Sequence, residues 1–70
     1  MANLRYPTPV KMRSGAKVGW LYYRTKEEAV KASYRAKSRA KLLAAQGYDF
    51  GYLTPGTIRE TDGLWEVVIP

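Results

Sequence analysis

TKEEAVKASYRAKSRAKLLAAQG, residues 25–47, reads as one helix with both ends marked. Thr25 suits the N-cap and Glu28 follows three residues later, which is the spacing of a capping box. Glu27 and Glu28 occupy the first turn, where carboxylates suit the positive end of the helix dipole; Lys41 lies toward the other end, where cations are favoured. Gly47 follows Gln46 and reads as the left-handed residue that ends a helix. The pattern predicts a helix from about Lys26 to Gln46. At 100° per residue, Ala29, Ala32, Ala36, Ala40, Leu43 and Ala44 share one face, with Ser33 among them. Side chains that small let the helix backbone lie close to a sheet. The bulk of the core must then come from that sheet.

The flanking sequence supplies the strands. Upstream, residues 17–24 (KVGWLYYR) are rich in β-branched and aromatic residues. Alternation puts Trp20 and Tyr22 on one face and Leu21 and Tyr23 on the other. Val10-Lys11-Met12-Arg13 reads as a short strand, with Ser14-Gly15 as the turn. Residues 1–9 read as an extended N-terminal segment, because Pro7 and Pro9 restrict the residues before them. Downstream, Asp62-Gly63 separates residues 57–61 from residues 64–69, and an Asp-Gly pair there predicts a hairpin with a type I′ turn. The expected fold is α+β in one domain, residues 1–70. It is an antiparallel sheet of three strands, or four with residues 10–13, with one long helix on one face, in the order (β)β-α-β-β.

Charge is divided along the chain. Residues 1–46 carry eleven Lys and Arg against Glu27 and Glu28, a net of +9. Residues 47–70 carry Arg59 against Asp49, Glu60, Asp62 and Glu66, a net of −3, which gives +6 overall. Such asymmetry points to a polyanionic partner or an acidic protein surface. The chain has no Cys and no His, so disulfides and the usual zinc ligands are excluded, and a reducing compartment is expected. Met1-Ala2-Asn3-Leu4-Arg5 has no apolar h-region, and no apolar run reaches the length of a membrane span. A cytoplasmic protein with no cofactor and no membrane association is therefore expected. Oligomerisation would enlarge the small core of a 70-residue domain.

The candidate contact residues are Lys31, Tyr34, Arg35, Lys37, Arg39 and Lys41 on the helix, with Arg24 before it. Lys and Arg neutralise phosphates and release counterions. After Glu28 no acid appears until Asp49, whereas an ordinary solvated helix interleaves acids for i,i+4 pairs. Tyr34 falls on the polar side. Of the other aromatics, Trp20, Phe50 and Trp65 are expected in the core. Loop residues 47–56 carry Tyr48, Phe50 and Tyr52, an alternative protein-binding surface. The loop has three glycines but no P-loop lysine and no dinucleotide fingerprint. Catalysis is not expected: there is no His, no serine has a nearby base, and Glu60 and Glu66, close enough across a hairpin to pair, read instead as solvent-facing positions opposite Arg59 or the helix.

The run Gly19-Trp20-Leu21-Tyr22-Tyr23-Arg24-Thr25-Lys26-Glu27-Glu28-Ala29, with Gly47-Tyr48-Asp49-Phe50-Gly51-Tyr52, resembles small, functionally unassigned accessory proteins of tailed bacteriophages. The resemblance covers about the central two-thirds of the chain and carries over no site. It implies expression in a bacterial host cell and a role in redirecting host or phage machinery by binding, without chemistry of its own. The residues themselves favour a non-enzymatic protein that engages nucleic acid through the basic helix. The alternative is a modulator or inhibitor that binds a host protein through the aromatic loop 48–53 or the exposed sheet face.

Overall fold

A computed structural model describes residues 7–70. Its elements run β1 (Lys11–Ser14), β2 (Gly19–Tyr23), α1 (Lys26–Ala45), β3 (Ile58–Thr61) and β4 (Leu64–Ile69). The four strands form one antiparallel sheet in the order β1-β2-β4-β3, with α1 packed on one face. The α+β expectation therefore holds, and the optional first strand is present. Most of the expected N-terminal segment, residues 1–6, lies outside the described residues; Pro7, Thr8 and Pro9 belong to no helix or strand.

The helix begins and ends where its caps predict. Thr25 Oγ1 accepts from the Glu28 amide at 3.2 Å, and the Thr25 hydroxyl donates to Glu28 Oε1 at 3.1 Å. Gln46 is the C-cap, and Gly47 has φ +90°, a conformation that glycine adopts without penalty. Lys41 falls one residue short of the last turn, which holds no basic residue. Ala29, Ala32, Ser33 and Ala36 are buried, and Ser33 Oγ donates to the Val30 carbonyl at 2.6 Å. Beyond Ala36 the small-residue stripe loses its cover: Ala40 and Leu43 are half-buried and Ala44 is exposed.

Alternation decides what the helix meets. Tyr23 and Val67 join Ala29, Ala32 and Ala36 in the core, with Leu21, Ile58, Trp65 and Ile69 packed around them. The helix crosses β4 and reaches β2 and β3, but not β1. Met12, opposite Leu21 on the same face, consequently stays exposed. The hairpin β3–β4 closes through Asp62 (φ +52°) and Gly63 (φ +77°), both left-handed as the Asp-Gly pair predicts. The β1–β2 turn is longer than Ser14-Gly15: Ser14 pairs with Gly19, and the Gly15 amide donates to the Val18 carbonyl at 2.8 Å.

The other face of the sheet carries no helix. Register aligns Lys11, Tyr22, Glu66 and Arg59 in one rung across all four strands. The neighbouring rung aligns Arg13, Trp20 and Val68. Trp20 is thus on the open face and half-buried, not in the helix-side core expected for it. Among the described residues the aromatic side chains with least exposure are Tyr22 and Tyr23, one on each face. Glu66 opposes Arg59, as expected, but is buried and not solvent-facing, because Tyr22 and Arg59 cover it; Glu60 opposes Trp65, so the two acids are not a facing pair.

Candidate nucleic-acid interface

Two cationic surfaces lie on opposite sides of the sheet. The first is α1. Lys31, Tyr34, Arg35, Lys37, Arg39 and Lys41 are all exposed. Helical spacing separates them into two flanks. Lys31, Arg35 and Arg39 stack at four-residue intervals on one flank. Arg35 and Arg39 border a cavity of about 620 Å³ with Pro7, Pro9, Leu21 and Leu42. Lys37 and Lys41 form the other flank, with Tyr34 beside them; Lys37 Nζ is 5.9 Å from the Tyr34 ring centre. The Lys37 stem runs against Gly56 at the start of the β3 side. Ion pairs among the described residues include Lys17–Asp49 and Arg59–Glu66, and none involves Lys31, Lys37, Arg39 or Lys41. The helix therefore exposes its five cations as two flanks on either side of its outward face. Arg24 is not among them. It is exposed before the N-cap, next to the acidic first turn, and a rise of about 1.5 Å per residue puts the far end of the basic run over 20 Å away.

The second surface, expected only as an alternative protein interface beside loop 48–53, is the open sheet face. Its anchor is Glu66, 2% exposed. Tyr22 Oη donates to Glu66 Oε2 at 2.7 Å, and Arg59 donates to Oε1 from Nε (3.1 Å) and Nη2 (2.8 Å). Both carboxylate oxygens are satisfied, as burial of a charge requires. The bond to Glu66, then burial, raises the Tyr22 phenol above its ordinary pKa. Lys11 Nζ lies 4.9 Å above the Tyr22 ring and the Arg13 guanidinium 4.3 Å above Trp20. The alternation of Lys11 with Arg13 and of Trp20 with Tyr22 was a signal for this surface. Their partners on β3 and β4 needed the register.

Loop residues 47–57 bound this face. The Tyr48 hydroxyl donates to the Lys17 carbonyl at 2.9 Å, and Tyr48 and Phe50 rings meet at 4.8 Å. The Gly51 amide donates to Asp49 Oδ1 at 2.8 Å; that bond, with Lys17 at 3.5 Å, lowers the Asp49 carboxyl below its ordinary pKa. Of the three loop aromatics expected to form a protein-binding surface, Tyr48 and Phe50 are thus engaged with each other and Phe50 is half-buried, while Tyr52 is fully exposed. Tyr52, Leu53 and Thr54 meet Trp20, Arg59 and Val68 around a cavity of about 160 Å³.

No cluster of His, Cys, Asp or Glu able to hold a metal occurs among the described residues, and none of their helices is long and apolar enough to cross a membrane. No family model matches the chain, and neither curated proteins nor solved structures yield a similar one.

Proposed function

We propose that the protein is a non-enzymatic nucleic-acid-binding module that docks on phosphates through α1. One observation carries this reading: from Lys31 to Lys41 the exposed helix surface holds five cations and no carboxylate. Of the four acids of the C-terminal part, Asp49 is paired with Lys17 and Glu66 with Arg59. Contacts of this kind release counterions. Five phosphate contacts on a duplex would give a log–log salt slope of about −4 to −5.

The test is fluorescence anisotropy with labelled duplex and single-stranded oligonucleotides across a salt series. Lys31→Glu with Lys41→Glu should weaken binding and flatten the slope by about two units. Both positions are exposed, so the fold should hold. Absence of binding at low salt, or binding indifferent to salt, would overturn the reading.

A second reading is a modulator of a host protein, supported by the fully exposed Tyr52. The engagement of Tyr48 with Phe50 and with Lys17 weakens it. An interface built on buried aromatics would respond little to salt, which separates the two readings. The resemblance to phage accessory proteins would place either partner in a bacterial cell.

A further inference from the structure

We propose that the open sheet face receives an unpaired base of single-stranded nucleic acid, in the cavity between Trp20, Tyr52 and Arg59. The inference takes its ligand class from the proposed function but uses the face opposite α1.

Stacking sites for unpaired bases combine exposed rings with flanking cations. Both are present. Trp20 forms one wall and is pinned by Arg13 at 4.3 Å. Tyr52 stands at the rim, 104% exposed. Its loop is tethered on the near side by the bonds of Tyr48 and Asp49, and on the far side by the Gly56 amide donating to the Val68 carbonyl at 2.7 Å. The loop backbone is therefore anchored on both sides of Tyr52 while its ring is unburied, and a stacked base would supply that burial.

Arg59 gives the cavity a fixed donor. Two of its five N–H groups are spent on the buried Glu66, while its side chain is 68% exposed. Such a guanidinium presents its remaining N–H edge at a set angle, which suits a phosphate or a base edge.

The spread of charge favours a chain over a free nucleotide. Lys11 and Arg13 lie on β1 and Arg59 on β3, at opposite edges of the sheet. Three strand spacings separate them, about 14 Å. One nucleotide phosphate cannot meet both edges, whereas a few linked nucleotides cross the gap. Duplex is excluded from the cavity because its bases are already stacked and paired.

The probe is a labelled oligothymidine of about 12 nucleotides, within the span of known single-strand sites. It is compared with a duplex of equal length and with thymidine monophosphate as competitor. Tyr52→Ala should weaken oligothymidine binding roughly 5- to 100-fold, the loss of one stacked base. It should leave duplex binding and the thermal melt unchanged. In a Trp65→Phe background, Trp20 is the only tryptophan left and its emission should fall as oligothymidine binds. Equal affinity of Tyr52→Ala and wild type for oligothymidine would overturn the inference, as would unchanged Trp20 emission at saturation. Displacement by the mononucleotide at comparable concentration would overturn it in favour of a free-nucleotide site. Duplex binding without oligothymidine binding would overturn it and leave the helix reading intact. Loss on Tyr52→Ala with no effect of the Lys31/Lys41 reversal would do the reverse.

Discussion

Tyr22→Phe probes the buried carboxylate with the least disturbance. Phenylalanine keeps the ring, and so keeps the packing beneath Lys11 and the Lys11–ring contact at 4.9 Å. It removes only the hydroxyl that donates to Glu66 Oε2 at 2.7 Å. Tyr22 is 6% exposed and Glu66 2%, so water does not readily replace the lost donor. Arg59 still holds Oε1, and Oε2 is left without its donor. Hydrogen bonds to charged groups contribute about 1.5–3 kcal/mol, so a loss near 2 kcal/mol is expected. In a chain of 70 residues total stability is only about 4–10 kcal/mol. The melting temperature should fall by roughly 8–16 °C. Urea and thermal melts followed by circular dichroism give both numbers. Pairing the change with Glu66→Leu should show coupling of about 0.5–3 kcal/mol, because each group's cost depends on the other.

The same bond predicts the alkaline limb. The Tyr22 phenol is raised above its ordinary value of 10.0, by Glu66 first and by burial second. A raised folded-state pKa means that the stabilisation is complete below the unfolded value and disappears as pH climbs through the folded one. Tyr23 shifts in the same direction, by burial first and then by Glu28. Wild type should therefore lose stability above about pH 10, and Tyr22→Phe should lose less over that range. A Tyr22→Phe melt within about 0.5 kcal/mol of wild type at neutral pH, with an equally steep alkaline loss, would refute the account of Glu66.

Gly63→Val puts a β-branched residue at φ +77° in open space, so its cost is backbone strain, about 1–3 kcal/mol by urea titration. Ala36→Leu should cost about 1–3 kcal/mol through overpacking under the helix. Ala40→Leu should cost clearly less, because Ala40 is only half-buried; equal melts for the two would mean that the packed face is wrongly placed. Thr25→Ala should remove about 1 kcal/mol with the Glu28 cap, and a variant as stable as wild type would show that the cap is dispensable.

The parts of the fold legible from residues alone were those with local causes. Thr25, Glu28 and Gly47 act within a turn of their own positions, and Asp62-Gly63 dictates its own dihedrals. What could not be read was the choice between the two faces of β2. Leu21 with Tyr23 and Trp20 with Tyr22 are both apolar enough to face a helix. The alternatives separate only once Glu66 is set on the Tyr22 side, where a phenol 44 positions away donates to it and an arginine 7 positions away pairs with its charge. The same register pairs Arg13 with Trp20 and moves that indole out of the expected core. The helix cations were legible individually. Their division into two flanks depends on which stripe is buried, and Arg24 lies before the N-cap beside Glu27 and Glu28. The exposed sheet face was expected as an alternative interface, but its cavity was not legible because the walls come from β2, β3, β4 and a loop.

The uncovered end of α1 has a dynamic consequence. Past Ala36 the helix leans on half-buried Ala40 and Leu43, while Leu42, Ala44 and Ala45 face water. Segments with little buried contact open at a free energy well below that of global unfolding. Amide hydrogens from residue 40 to the C-cap should therefore exchange with solvent far sooner than those of residues 29–36. Arg39 and Lys41 sit at that boundary, so a polyanion neutralising them would clamp the segment. Its arrival would register as slowed exchange in those last turns, with the amides over Val67 and Tyr23 left as they were.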